Sequence, residues 1–400
     1  MKKILLATYL ILFYCIVANA QSVFSGAENG IGLRHYITTS RGMGMGNTGL
    51  SLNDTTTLNA YNTASWRHIT DTKISISILY DYVYTDLGVQ NFTSSRTNFN
   101  GLQLGIPIQK DHWTIGISVV PYSVINFSYI LDFKNKEPYY KANAFYEGNI
   151  SRPQFSIAWG LNKSIGFSAN FIYYFGTIED RYYLFLDDPD ISDSYYAINY
   201  RFQGPGLGLG FDLEPKSKWR IGGFIDFPAR VKFKRITISP TTLEEKRVES
   251  KASFPLFWGI GSSYQLSKQW IISTDFTYQD WSKGLEINNI KPENLDKWYK
   301  FGLGIEHSRS SSKSRSILNK IDLRTGLSAG SLGYKFNNNT ISEYALHFGM
   351  GIPFYQGLAR LDLAFLVGIR GKIDKTLAEE KFFKLYLTIS AGELWFQQIR

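Results

Sequence analysis

Residues 41–66 read RGMGMGNTGLSLNDTTTLNAYNTASW. The run has no steady period of 2 or 3.6 and carries small polar residues throughout. Its glycines, Gly42, Gly44, Gly46 and Gly49, let the backbone pack closely and take positive φ. Alone it has too little apolar surface to fold, so it orders only inside something that encloses it. The rest of the chain reads as that enclosure. Alternation at period 2, the signature of amphipathic strands, starts at Lys73 and persists to the end.

In the first strand, 73–86, Ile74, Ile76, Ile78, Tyr80, Tyr82 and Tyr84 share one face; Lys73, Ser75, Ser77 and Asp81 share the other. One such strand would suit a soluble sandwich, and repetition decides against it. Further strands are expected near 97–109, 112–131, 143–161, 165–186, 195–213, 218–238, 248–266, 270–281, 297–307, 320–329, 341–353, 359–370 and 380–391. Strand three keeps Trp113, Ile115, Ile117, Val119, Ile125, Phe127 and Tyr129 in phase. Strand seven sets Trp219, Ile221, Ile225, Phe227, Val231 and Phe233 against Arg220, Asp226, Arg230, Lys232 and Lys234.

The connections carry the argument further. Those after even strands are short, as at 110–111, 162–164, 215–217, 267–269 and 355–357. Those after odd strands are longer and polar, as at 187–194, 282–296 and 330–340. Short periplasmic turns alternating with long external loops mark an outer-membrane barrel, and an even strand count leaves both termini in the periplasm. The expectation is an all-β, transmembrane antiparallel barrel of about 14 strands over residues 71–400, with a hatch at 21–70 inside its lumen. Many strands exceed the roughly 9–11 residues needed to cross, so the barrel rises above the membrane. Tyr84, Trp113, Trp219, Trp270 and Trp281 fit aromatic girdles. The turn at 308–316, SRSSSKSRS, breaks the pattern by being long and basic; it reads as a solvated turn or as a docking site for an acidic partner.

Residues 1–20 read as a secretory signal peptide: Lys2 and Lys3, an apolar run over 4–18, and Ala18-Asn19-Ala20 before Gln21. The single cysteine, Cys15, lies in that leader, and the bulky Tyr14 before it argues against lipidation. The exported chain therefore has no disulfide or thiolate-metal framework. A mean hydropathy of −0.17 argues against a helical membrane protein, and 26 Tyr with 28 Phe suit strands that have wet and greasy faces. The net charge of +9, or +7 without Lys2 and Lys3, is spread over many strands. It reads as a solvated or lipopolysaccharide-facing surface, not a nucleic-acid site.

Gly44-x-Gly46-x-x-Gly49 matches a dinucleotide fingerprint but lacks the strand before and helix after that phosphate binding needs. Gly326-x-Ser328-x-Gly330 matches a nucleophile elbow, but an alternating strand leads into it and a polar loop is expected after it, so it reads as a strand end. The histidines at 35, 68, 112, 307 and 347 are scattered and give no metal site; His347 is expected to be a hydrogen-bonded lumen residue. No cofactor is implied. Pro121 removes a ladder hydrogen bond inside strand three, so a local break in pairing is expected there. Gly204-Pro205-Gly206 separates even-numbered Tyr200 and Phe202 from odd-numbered Leu207, Leu209 and Phe211, which reads as a bulge. Lumen charges are expected at Asp81, Asp226, Arg230, Asp275, Arg324, Asp362, Arg370 and Lys384. They either hold the hatch through ion pairs, or Arg230, Arg324 or Arg370 takes the carboxylate of a passing amphiphile.

MGMGNTG followed by Asn59-x-x-Asn62-Thr63-Ala64-Ser65 resembles the N-terminal hatch of the FadL-like family, outer-membrane channels for long-chain fatty acids and other hydrophobic compounds. Asn62, Thr63 and Ala64 match that family's Asn-Pro-Ala, with Thr63 in the place of the proline, which implies a looser hatch turn. The resemblance spans the mature chain and is clearest over 344–371 and 380–396. It implies a monomeric barrel in the cell outer membrane, placed there by the barrel-assembly machinery, with no catalysis. It also implies passive uptake of a hydrophobic, fatty-acid-like molecule with lateral release at an inward kink in strand three, which Pro121 would match. A secretion-linked branch of the same superfamily, in the type IX system, implies an alternative: a barrel used as a protein-binding platform.

Overall fold

The computed structural model describes residues 22–393 except 27–30, 37, 90, 133–139, 187–193, 240–241, 284–293, 310–319 and 355–357. The leader, most of the basic 308–316 turn, and most of the 187–194 and 282–296 loops lie outside the described residues. A two-residue strand, β1 (Leu33–Arg34), belongs to the N-terminal segment. The wall then runs through β2 (Thr72–Asp86), β3 (Asn91–Gln109), β4 (Trp113–Asp132), β5 (Tyr140–Gly160), β6 (Ile165–Leu186) and β7 (Ser194–Lys216). It continues through β8 (Trp219–Asp226), β9 (Ala229–Ser239), β10 (Thr242–Phe254), β11 (Phe257–Gln265), β12 (Trp270–Asp280) and β13 (Leu295–His307). It ends with β14 (Asp322–Phe336), β15 (Asn339–Phe354), β16 (Ala359–Gly371) and β17 (Glu379–Glu393). Phe227-Pro228 divides one strand into β8 and β9, and Pro255-Leu256 divides another into β10 and β11. The wall therefore has fourteen antiparallel strands, closed where β17 pairs with β2 through Leu385↔Tyr80 and Ile389↔Ile76.

Closure satisfies the backbone without an edge, which hydrocarbon requires. On β2, Ile74, Ile76 and Ile78 are exposed while Ser75 and Ser77 are buried. The same out-facing apolar set recurs as Phe171 and Phe175, Leu207 and Leu209, Phe301 and Leu303, Leu346 and Phe348, and Val367 and Ile369. Together these make a lipid-facing belt. Inside, Phe24, Met45, Leu50, Ala64 and Trp66 of the N-terminal segment are almost wholly buried.

The structure departs from the sequence reading at Trp281, which was expected in an aromatic girdle but is buried inside the bore, and in four stretches of the wall. The phase of strand three is broken: Pro121 pairs with Ser151 but Ser123 with Ile150, so Tyr122 is an inserted residue and Ile125 turns inward to full burial. Conversely, Gly204–Gly206 is not a bulge against β6, where Gly204↔Tyr174, Pro205↔Tyr173 and Gly206↔Ile172 run in continuous register. Phe202 faces in and Leu207 faces out because the upper bore is not wet: Phe202, Phe233, Phe254, Trp281 and Trp298 pack there with Phe24, Tyr36 and Tyr61. The third stretch is strand seven, which changes phase at Phe227-Pro228. Val231 and Phe233 point into that aromatic core, so Arg230 and Lys232 are exposed on the outer surface and not in the lumen. Finally, the long loop expected at 330–340 is absent. β14 continues to Phe336 and turns on Asn337 and Asn338, both at positive φ (49° and 58°), into Asn339. That is the two-residue hairpin geometry that asparagine tolerates.

Candidate functional site

The hatch docks backbone to backbone. Gly46 has φ +76°, and a Cβ there would lie 2.5 Å from the Leu327 carbonyl oxygen and 2.6 Å from that of Leu303. The wall answers with glycines of its own. A Cβ on Gly326 would come 2.3 Å from the Gly46 nitrogen, one on Gly304 2.3 Å from the Met45 oxygen, and Gly44 meets Gly349. Gly42 is equally tight, its Cβ position lying 1.8 Å from the Thr48 oxygen. The Gly49 and Leu50 N–H groups donate to the Asp275 carboxylate at 2.7 and 2.9 Å. Asn59 accepts from the Tyr61 N–H and donates to the Gly49 carbonyl. Asn62 donates to the Leu50 and Phe211 carbonyls, and the Thr63 hydroxyl donates to Asn170. Ala64 is fully buried. Thr63, in the place of a proline, thus makes a wall contact that proline could not.

Charge locks the same segment. Arg41 pairs with Glu306 (2.7 Å) and Asp54 (3.0 Å). Burial works to raise the Asp54 pKa, but the charges of Arg41 and Arg360 and the Thr56 and Thr57 hydrogen bonds hold it well below the usual carboxylate range. Arg324 pairs with Glu306 (2.7 Å) and Asp362 (2.6 Å), and Arg360 with Asp322 (2.8 Å). Arg67 and His68 share Asp212, and Arg152, fully buried, joins Asp226 at 2.8 Å and the Ala60 carbonyl at 3.2 Å. Desolvated pairs of this kind hold only when geometry and hydrogen bonds are complete. They tie the N-terminal segment to the inner face of the wall.

Beside the hatch lies a cavity of about 330 Å³. Leu33, Arg34, His35 and Tyr36 form one wall, and Val119, Val120 and Pro121 another. Its charged end holds Lys300 and Arg370 around Glu343 (3.3 and 3.7 Å), Arg370 on Glu380 (2.5 Å), and Lys384 on Asp81 (3.4 Å). Nη2 of Arg370 is buried without a hydrogen-bond partner, as is Nη2 of Arg34. His35 contacts Asn100 at 2.5 Å; burial pushes its pKa down to about 4 against that hydrogen bond, with the cations Lys384, Arg34 and Lys300 adding to the depression.

The cavity abuts a seam in the wall. The β3–β4 ladder runs from Gln109↔Trp113 to Leu102↔Val119 and stops there, whereas β4 stays paired with β5 up to Asp132. Pro121 sits two residues beyond the last rung. On that edge of β4, β1 takes over through Leu33↔Val124 and Arg34↔Ser123, extended by the His35 N–H to the Tyr122 carbonyl.

Of the carboxylate candidates, Arg370 lines the cavity, Arg324 is committed to Glu306 and Asp362 outside it, and Arg230 is on the outer surface. His347 donates from Nδ1 to the Met43 carbonyl (2.7 Å), and its Nε2 shares a hydrogen bond with the Ser328 hydroxyl (2.8 Å). Gly326–Gly330 is mid-strand, not a strand end and not an elbow. Sequence reasoning missed Arg152, Arg34 and the wall glycines. The Gly-x-Gly pairs at 302/304 and 349/351 carried a signal: small residues at period 2 on an inward face announce a close backbone approach.

The structure is similar to a FadL homologue from Pseudomonas aeruginosa, with TM-score 0.67 and 12% identity over 90% of this chain and 99% of that one. It is also similar to the toluene transporter TbuX from Ralstonia pickettii (TM-score 0.62, 13% identity, 90% and 99% covered). The Pseudomonas putida toluene transporter TodX matches with TM-score 0.59 at 11% identity, with 90% and 99% covered. The fold is thus that of the FadL-like outer-membrane barrels. Among curated proteins none matches in sequence. A family model described as BamG matches residues 1–400.

Proposed function

The chain belongs to the BamG family, and we propose that it is an outer-membrane channel that passes hydrophobic small molecules sideways through the seam between β3 and β4. The observation that supports this most is the position of the cavity directly behind the place where the ladder stops. A molecule entering from the external side meets a bore blocked by ion pairs and glycine contacts, and its way out lies past Val120 and Pro121. The apolar part of the lining, Val119, Val120 and Pro121 with Leu33 opposite, suits a hydrocarbon, and the unpartnered Nη2 of Arg370 suits a carboxylate at one end, as in a long-chain fatty acid.

Val120→Trp fills the seam mouth without touching the charged end. Uptake of labelled fatty acid and of labelled toluene should both fall. Arg370→Gln should reduce the acid alone. Unchanged uptake of both compounds in V120W would sink the lateral route. The locked bore also favours a second reading, a barrel that serves as a platform for an exported protein. Recovery of a stoichiometric exported partner, with no acyl chain bound in the cavity, would favour that reading.

A further inference from the structure

On the outer surface, above the apolar belt, three neighbouring strands carry an uncompensated group of cations. Arg201 of β7, Lys234 of β9 and Glu249 of β10 lie on one rung; Gln203, Lys232 and Lys251 lie on the next; Arg230 stands opposite Ser253 on the third. Arg201, Arg230, Lys232 and Lys251 are all exposed, and Lys234 is half-buried. Their strands cannot roll them inward, because Phe202, Val231, Phe233 and Ala252 between them fill the core. On these rungs, among the described residues, five cations face one carboxylate, Glu249, which pairs with Lys234 at 3.4 Å. Among the described residues, Arg201, Arg230, Lys232 and Lys251 form no ion pair. Like charges directly opposite one another, as in Lys232↔Lys251 and Arg201↔Lys234, destabilise a sheet. On β6, the next strand beyond β7, the wall handles charge differently: Arg181 pairs with both Glu147 and Glu179.

The height of this patch identifies what offsets the repulsion. Leu207 and Phe227 are exposed on the same strands and belong to the lipid belt. Arg230 follows Phe227 by three residues, a rise of about 10 Å along the strand and less along the membrane normal. The cations therefore stand at the headgroup level, on the side of the longer loops, which faces outward in such barrels. An anion there is delivered by a lipid whose chains lie against the belt below.

We propose that Arg201, Arg230, Lys232 and Lys251 form a binding site for the phosphates of lipopolysaccharide lipid A in the external leaflet. Phosphate offers several acceptor oxygens and more than one charge, so it can span neighbouring rungs that a single carboxylate cannot. This goes beyond the channel reading and survives its failure, since it needs only the barrel and its orientation.

The test uses the full mature chain in phosphatidylethanolamine nanodiscs doped with bisphosphoryl lipid A. Native mass spectrometry and a labelled lipid A report retention and affinity. The triple neutralisation Arg230→Gln, Lys232→Gln, Lys251→Gln should weaken binding by at least about tenfold, and Lys232→Arg with Lys251→Arg should keep it. Arg181→Gln, outside the patch, should leave it unchanged. Inorganic phosphate at matched concentration should not displace the lipid. Equal binding by the triple variant overturns the proposal, as does displacement by inorganic phosphate. So does loss of an acidic exported protein from the triple variant while lipid A stays bound.

Discussion

Gly304→Ala tests how the hatch is seated. The added methyl would lie 2.3, 2.5 and 2.6 Å from the oxygen, carbonyl carbon and Cα of Met45. Carbon atoms settle at about 3.5–4.0 Å, so the hatch turn must retreat by roughly 1 Å. It is poorly placed to retreat. All three atoms are backbone, the Met43 carbonyl is held by His347, and Gly49 and Leu50 are held by Asp275. Overpacking of this kind costs about 1–3 kcal/mol. Alanine in a strand recovers about 0.5–1 kcal/mol over glycine, which leaves a net loss centred on about 1 kcal/mol. With a urea slope of about 1–3 kcal/mol/M, the midpoint should fall by up to about 1 M. Reversible urea unfolding in lipid vesicles, followed by tryptophan fluorescence, reads this directly, since Trp66 of the hatch is only 1% exposed. Leu303→Met, on the lipid side of the same strand, is the control. A midpoint equal to or above that of the unaltered protein would mean that the hatch turn does not rest on Gly304.

Arg152→Met removes the ion-pair partner of buried Asp226 and should cost about 3–5 kcal/mol; adding Asp226→Asn should return most of the loss, measured in the same unfolding assay. Asp275→Ala strands the Gly49 and Leu50 N–H groups and should cost about 1–3 kcal/mol for each donor left unpaired, whereas Asp275→Asn, which keeps an acceptor oxygen, should cost less. His35 gives a pH dependence with a definite sign. Its folded pKa of about 4 lies below the unfolded value of 6.5. Above pH 6.5 both states are neutral and it contributes nothing; below it, the unfolded chain takes up a proton that the folded chain refuses, so stability falls from pH 6.5 down to pH 4. Unfolding midpoints at neutral and acid pH should show this slope shrinking in His35→Gln.

Strand number, closure and the enclosed glycine segment were legible because period-2 alternation survives wherever one face meets lipid and the other meets a polar interior. Legibility failed where that contrast vanishes. Around Phe202, Val231 and Phe233 the interior is aromatic, so both faces look apolar or both look mixed, and alternation no longer says which side is in. Arg230 was assigned to the lumen by carrying the phase of Ile221 and Ile225 across Phe227-Pro228, where the strand breaks. Ile125 failed through a single inserted residue, Tyr122, which no local pattern marks. The turn at Asn337-Asn338 was hidden because Gly330–Tyr334 is rich in small residues that resemble a loop, although its partner strand supplies the pairing.

The anchoring of the hatch is unequal, and this bears on where motion can occur. Gly44, Gly46, Arg41 and Gly49 are fixed by backbone contact, by paired desolvated charge, or by hydrogen bonds to Asp275; none of these can loosen without leaving a buried group unpaired. Leu33 and Arg34 are held differently, by a two-residue ladder to the β4 edge and by Arg34 side-chain hydrogen bonds to Gln279 and to the Tyr122 carbonyl. Each rung is an ordinary backbone hydrogen bond with a net value of about 0.5–1.5 kcal/mol, and Leu33 itself is in no ion pair. Leu33 and Arg34 also face the cavity beside the seam. The weaker hold is thus at Leu33, beside the seam, while the glycine turn is fixed at every contact. On the lateral route proposed above, an entering molecule would displace Leu33 and leave the glycine turn seated.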